Sequence, residues 1–538
     1  MNASNNKSFW QGAVLLTAVA LVMKVMSVGY RIPYQNLAGD LGFYVYQQVY
    51  PFYSIVIILA TYGFPVVISR LVSDSNSKGD HLGAIDVARI SFYSLAFIGL
   101  VSFAVLFSSA PYIAGLMGDR ALSLPLRVTS FSFLVMPLIA SVRGYFQGKE
   151  NMFPTAASQL IEQAVRVIAI LLLTLSIIKG GYGAYAAGTG AAAGSVIGGG
   201  AAVLFLLFYF LYRKKTINRE TGNGKRKLSI KVVLIRLLKE GFAICVSALV
   251  LVLIQLVDAL TIVPSLIEAG FDGRIARITK GVFDRGQPLI QLGTVLATSL
   301  SLSLVPVITK AYLKRDFETI IYYSSIALKV SVVIGVAAAA GLAIIIEPVN
   351  TMLFTDNARS LELGVLGVSL LFSSIALTAA GILQGMDAAR EVAWYVVLLI
   401  GLKVLLNLSL VPAFGLMGAA FSTVGVFSLF AFLSVLSIHK KTGLFYKAKF
   451  KGIKVFASMA AMIIVVGIWK ETLYVISGEE DRMSAAVIAV SSSCIGAVSY
   501  LLALLRLHVF NDEELLLLPK GDKLLSFSRL VRREKAET

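Results

Sequence analysis

The sequence predicts an all-α polytopic membrane protein with fourteen transmembrane helices: two parallel six-helix repeats, then two further helices. Three observations carry this. Of 538 residues, 57% are apolar and 14% charged, with a mean hydropathy of +0.82, outside the range of soluble domains. Runs of about 20 apolar residues, each long enough to cross a ~30 Å hydrocarbon core as a helix, recur along the chain. Similar segments also return at a fixed offset. Lipid-exposed backbone must satisfy its own hydrogen bonds, so the spans are helices.

The first six spans fall at 9–29, 50–69, 91–110, 125–143, 157–178 and 184–210. Lys7 before "FWQGAVLLTAVALV", with "AVA" at Ala18 to Ala20, has features of a cleavable signal. Because "VMKVMSVGYR" continues the helix and many spans follow, a retained first span is expected. Residues 1–210 form the first repeat, and 211–240 form a loop with the basic run "RKKTINRETGNGKRK". The second repeat, 241–438, holds spans at 241–263, 287–308, 320–346, 362–382, 392–411 and 416–438. A second basic loop, 439–452, opens "HKKTGLFYKAKFKGIK"; spans at 453–470 and 484–505 and a tail, 506–538, complete the chain. An even number of spans puts both termini on one side. Lys and Arg concentrate in the loops of that side, which makes the termini cytoplasmic and the location the cell membrane.

At an offset of 237, Pro51 falls on Pro288, Asp119 on Asp356, Ser123 on Ser360, Gly144 on Gly381, Gln147 on Gln384, Gly148 on Gly385 and Arg166 on Lys403. Six spans per half make the repeats parallel, an arrangement that places a cleft near the membrane midplane in transporters. In "GTGAAAGSVIGGG", Gly190, Gly194 and Gly198 recur every four residues, a surface for close helix packing. A nucleotide loop would need GxxxxGK[S/T], which does not occur. Pro65, Pro137, Pro288 and Pro306 mark kinks within or at the edge of spans.

An ionisable group deep in a span costs a few kcal/mol on insertion scales and so signals function. Lys24, Glu162, Arg166, Asp258, Lys329 and Lys403 lie deep, whereas Arg31, Arg127 and Arg143 lie nearer span ends, within reach of the interface by snorkelling. Lys24 and Arg31 are two turns apart and share a helix face. Glu162 and Arg166 are an i,i+4 pair that neutralises itself in part, either as a structural salt bridge or as cavity wall. The remaining cations outnumber Asp258, and that surplus needs water or an anion, so an anionic cargo is expected. Glu162 and Asp258 are the candidates for ion coupling.

Other chemistry finds no support. Cys245 and Cys494 lie far apart inside apolar runs, and His81, His439 and His508 lie in loops or at span ends. No catalytic, metal or cofactor pattern occurs. The net charge of +18 comes without any nucleic-acid-binding motif.

The runs "RGYFQGKENMFPTAASQLIEQAVR", "YGFPVVISRLVSD" and "DRGQPLIQLGTVLATSLSLSLVPVITK", with the tail "LLLLPKGDKLLSF", resemble the polysaccharide-synthase branch of the multidrug/oligosaccharidyl-lipid/polysaccharide exporter superfamily. The likeness is to the SpoVB type, with MurJ/MviN-type lipid II flippases more distant. The resemblance implies two six-helix lobes in a V around a cationic cavity, and two C-terminal helices forming a groove for a lipid tail. It implies as cargo an undecaprenyl-diphosphate-linked saccharide, a peptidoglycan precursor or other polysaccharide unit, with membrane lipids and glycan-synthesis enzymes as further partners. Relatives carry essential arginines in and just after the first helix, where this chain has Lys24 and Arg31. Lysine keeps the charge but loses the bidentate fork, which weakens the case for lipid II as the cargo. On this view Glu162 and Arg166 shape the cavity wall, and Arg143 meets the diphosphate at the cytoplasmic mouth.

Two other classes stand beside the flippase. An ion-coupled multidrug exporter would line its cavity with carboxylates. A non-transporting scaffold for glycan synthesis would use the tail for docking, although that tail also reads as an interfacial amphipathic anchor. The retained deep charges favour transport.

Overall fold

Apolar runs too long for a single soluble core, broken by short capped turns, fold here as long helices. The computed structural model describes residues 3–220, 230–302, 304–444, 451–477, 481–518 and 520–532. The first part comprises α1 (Ala3–Gly29), α2 (Arg31–Ile58), a π-helical turn (Leu59–Gly63), α3 (Phe64–Ser77), α4 (His81–Leu116), a 3-10 turn (Arg120–Leu122), α5 (Ser123–Ser130), α6 (Ser132–Gly148), α7 (Phe153–Lys179) and α8 (Gly183–Glu220). Next come α9 (Ile230–Ala248), α10 (Val250–Glu268), α11 (Gly273–Asp284), α12 (Gly286–Leu302), α13 (Val305–Leu313), α14 (Phe317–Phe354), α15 (Ser360–Gly367), α16 (Ser369–Gly385), α17 (Ala389–Phe414) and α18 (Leu416–Thr442). The chain closes with α19 (Gly452–Ser477), α20 (Arg482–Arg506), α21 (Asp512–Leu516) and α22 (Gly521–Arg532).

Among the described residues, twelve stretches are long and apolar enough to cross a membrane. The first, Ala18–Ser77, takes in part of the expected span at 9–29 and all of that at 50–69, and the expected span at 287–308 falls on α12 and α13, of 17 and 9 residues. The protein is thus a multi-pass helical membrane protein, consistent with fourteen spans. Parts of both basic loops, 221–229 and 445–450, and the tail beyond 532 lie outside the described residues.

Residues 30–49, which hydropathy leaves outside the spans, are mostly helical. Gln35, Gln47, Gln48 and four tyrosines depress the local hydropathy, yet all are buried: their polar atoms face protein, so a test of lipid compatibility does not apply to them. Gly39 takes φ +68 inside α2, a left-handed conformation that glycine adopts without steric cost.

The offset of 237 reappears in the helix bounds. Moving α5 and α6 forward by it lands on the first and last residues of α15 and α16. Asp119 accepts from the Ala121 N–H at 3.1 Å, and Asp356 accepts from the Ala358 N–H at 2.9 Å, so the repeated aspartates perform the same local job.

The chain divides into two units: Met1–Asp284 with Asn407–Pro412, and Arg285–Leu406 with Ala413–Thr538. In the first, α8 lies along α7 through its glycines. A Cβ at Gly198 would stand 2.7 Å from the Glu162 carbonyl, and one at Gly194 would stand 2.8 Å from the Ile170 nitrogen. Gly144 and Gly148 bring α6 against α3 in the same way. In the second unit, Ile326 and Val330 of α14 share a core with Val455 of α19, Leu504 of α20 and, from the tail, Phe510 and Leu515.

Candidate functional site: buried cation clusters on the spanning helices

The main cluster of the first unit joins α2 and α7. Tyr46, Tyr50 and Tyr53 recur at i, i+4 and i+7, one face of α2. Their rings form a ladder, with centroids 5.7 Å apart for Tyr46–Tyr50 and 6.4 Å for Tyr50–Tyr53. Arg31, fully buried at the start of α2, places its guanidinium carbon 4.3 Å from the Tyr50 centroid. Arg166, buried on α7, lies 5.4 Å from the Tyr53 centroid and 5.8 Å from that of Tyr30, and donates to the Tyr53 hydroxyl at 3.3 Å and to Gln163 Oε1. The Tyr30 and Tyr46 hydroxyls are 2.7 Å apart. Among the described residues no hydrogen bond reaches Arg166 Nε or Gln163 Nε2. Two guanidinium groups, tyrosine hydroxyls and an amide suit an oxygen-rich anion, and the ring faces stabilise the cations when it is absent.

Arg143 corrects an expectation. It neither snorkels nor waits at a mouth; it is fully buried, and all three guanidinium nitrogens are engaged. Nη2 donates to Glu162 at 2.8 Å, Nε to Ser158 at 2.9 Å and Nη1 to Thr61 at 3.2 Å. Thr61 belongs to the π-helical turn, whose extra residue re-aims a side chain inside an otherwise regular helix. Glu162 is therefore the partner of Arg143 and not of Arg166: the i,i+4 spacing permits a contact, but the other helix offers a fork with better geometry. Arg31 is buried too, rather than at the interface. Lys24 is exposed on α1, so it does not share the environment of Arg31.

Asp258 on α10 accepts from the Asn407 amide at 2.8 Å, and that amide also reaches Thr261 at 2.8 Å. In the second unit, Lys403 is fully buried on α17 and donates to Thr423 of α18 at 2.7 Å; it is the repeat counterpart of Arg166. Lys329 on α14 pairs with Glu514 of the tail at 2.6 Å.

Sequence reasoning missed the charges of 273–285. Lys280 pairs with Asp284 in the interior, and Arg277 Nε lies 3.3 Å from Asp119, to which Tyr185 also donates at 2.6 Å. Arg285, fully buried, grips both oxygens of Asp356 at 2.6 and 2.9 Å. Burial pushes the Asp356 carboxyl up, but the Arg285 bonds and charge with the Ala358 N–H outweigh it and hold the carboxyl below its ordinary range. The available signal was the i,i+4 spacing of Lys280 and Asp284 in a segment that looked like a loop.

The second unit also holds an apolar cavity of about 480 Å³ among α12, α14, α19 and α20, lined by Leu289, Gly293, Leu342, Met462 and Val466.

Long apolar helices in repeated sets, with arginine and lysine clusters buried on them, make up the architecture of a multi-pass membrane transporter. Within that class the chain belongs to the polysaccharide biosynthesis protein family, whose sequence pattern matches residues 9–312. It is 38% identical to the uncharacterized membrane protein YabM of Bacillus subtilis (strain 168), over 98% of this chain and 97% of that one. It is 27% identical to lipid II flippase MurJ of the same organism, covering 91% and 94%, and 24% identical to its stage V sporulation protein B, covering 95% and 98%. The sporulation protein is thus no nearer than MurJ. Among solved structures, lipid II flippase MurJ in an inward closed conformation matches with a TM-score of 0.65 at 15% identity, covering 92% of this chain and 99% of that one. An inward-facing multidrug resistance MATE transporter of the MOP superfamily matches with 0.64 at 17% identity, covering 81% and 100%. Both share the fold.

Proposed function

We propose that this protein is a flippase that moves an anionic undecaprenyl-diphosphate-linked saccharide across the cytoplasmic membrane by alternating access, leaving its covalent structure unchanged. The observation that carries the proposal is the Arg31–Arg166 cluster, a buried, donor-rich cationic site on spanning helices. The relatives named lipid II flippase and stage V sporulation protein B, similar over nearly the whole chain, support the same class of cargo. Arg31 and Arg166 meet the diphosphate, while Lys24 and Lys403 supply further positive charge. Arg143 braces the wall through Glu162, and Glu162 and Asp258 are the acids available for coupling to an ion. The apolar cavity beside α19 and α20 takes part of the prenyl chain. Both termini are cytoplasmic, the repeats at 1–210 and 241–438 act as the two lobes, and glycan-synthesis enzymes supply and consume the cargo.

The multidrug resistance MATE transporter that shares the fold stands behind a second reading, an ion-coupled multidrug exporter. Native mass spectrometry on the purified protein, offered an undecaprenyl-diphosphate saccharide, undecaprenyl phosphate and an amphipathic cation in competition, separates the two. Selective retention of the diphosphate lipid, lost in Arg31→Ala and Arg166→Ala with folded protein retained, is the expected result. Preference for the cation, or unchanged retention in both variants, overturns it.

A further inference from the structure

A second apolar cavity, of about 470 Å³, lies within the second unit among α14, α16 and α18. Val332, Phe372, Phe432 and Val435 are on its wall, and Lys329 alone among the lining residues is charged. It is distinct from the cavity beside α19 and α20. An apolar space offers water few partners, stays dry and can take up apolar ligands. A buried ammonium at its edge requires an anion.

In this structure the tail supplies that anion. Glu514 of α21 lies 2.6 Å from Lys329 Nζ and is held by the Asn511 N–H at 2.8 Å, and the Phe510 ring centroid is 4.9 Å from the same ammonium. Lys451 donates to Asn511 Oδ1 at 3.1 Å and to the His508 carbonyl at 3.0 Å, which ties the same turn of the tail to the start of α19. The neighbouring residues Ile326 and Val330 belong to one core with Val455 near the start of α19 and Leu504 near the end of α20, and the pairing with Glu514 of the tail puts Lys329, which the sequence places deep in a span, next to the segment that follows α20.

We infer that this cavity is a site for a resident anionic phospholipid, with an acyl chain between α14, α16 and α18 and the phosphate on Lys329 in place of Glu514. The carboxylate of the tail and the lipid phosphate compete for one ammonium, so lipid occupancy releases α21 from α14. The inference goes beyond the flippase proposal: this lipid stays in place and is not the cargo, and its test does not involve transport.

The test is native mass spectrometry of the full chain in mild detergent with equimolar phosphatidylglycerol and phosphatidylcholine of matched chains. The wild type is expected to retain the anionic lipid about tenfold better, the ratio that ~1.4 kcal/mol commands. Glu514→Gln, which removes the competitor, raises that ratio. Lys329→Gln/Glu514→Gln, which removes both charges and strands neither, brings it to parity with thermal stability maintained. An undiminished preference in the double variant, or no rise in Glu514→Gln, overturns the inference. So does displacement of the phospholipid by an undecaprenyl-diphosphate lipid at the wild-type site but not in the double variant, which would give the cavity to the cargo.

Discussion

Arg143 and Arg166 show how differently two buried guanidinium groups can be used. Arg143 makes hydrogen bonds with all three of its nitrogens, to Glu162, Ser158 and Thr61, and its side chain and that of Glu162 are 1% and 10% exposed. Breaking a buried pair from one side leaves an uncompensated charge, which costs about 3–5 kcal/mol. Arg143→Ala is therefore expected to lower the thermal unfolding midpoint of the detergent-solubilised protein sharply. Arg143→Ala/Glu162→Gln should recover much of that loss, because no bare carboxylate remains. Unfolding followed by fluorescence-detected size exclusion checks both. Among the described residues no hydrogen bond reaches Arg166 Nε, and the guanidinium lies beside aromatic rings, the condition of a residue kept for a ligand. Charge type was legible in the sequence for both arginines and depth for Arg166, but not the depth of Arg143, which the span bounds put near the interface. Which arginine takes Glu162 was not, because the nearer partner along the helix competes with a partner from α6.

At the scale of the element, glycine spacing does what lipid cannot. Helices in hydrocarbon gain little from burying apolar surface, so close backbone approach has to supply the contact, and Gly194 and Gly198 let α8 lie on α7 next to Glu162 and Arg166. Gly198→Val is expected to push the helices apart at the very turn that positions Arg166, with lower protein yield and loss of diphosphate-lipid binding. Gly200→Ala, with nothing within 4 Å of the added carbon, should leave both unchanged or gain up to ~1 kcal/mol from helix propensity. Expression and ligand retention of the pair measure the difference. The four-residue spacing was enough to foresee this contact. It was not enough to foresee α2, whose polar residues are spent inside the protein, or α11, whose charged residues pair with one another and with Asp119.

For the whole molecule, topology decides which side of the membrane each charge cluster serves. Single cysteines introduced at Lys520 and at Lys225 in a background lacking Cys245 and Cys494 are expected to react with a membrane-impermeant thiol reagent only after the membrane is opened. Cysteines at Asp272 and Ser477 should react from outside in intact cells. Labelling at all four from one side would invalidate the even-span topology.

Hydropathy, spacing and the cost of charge in lipid are properties of single helices, and from the sequence they yield the helical membrane class, the repeat at offset 237 and the burial of Arg166, Lys329 and Lys403, but not that of Arg31, Arg143, Lys280 or Arg285. That Glu162 belongs to Arg143, Asp356 to Arg285 and Lys329 to the tail emerges from the packing of different helices. Partner choice in a low-dielectric interior is a competition among side chains on different helices, settled by distances that no one helix contains.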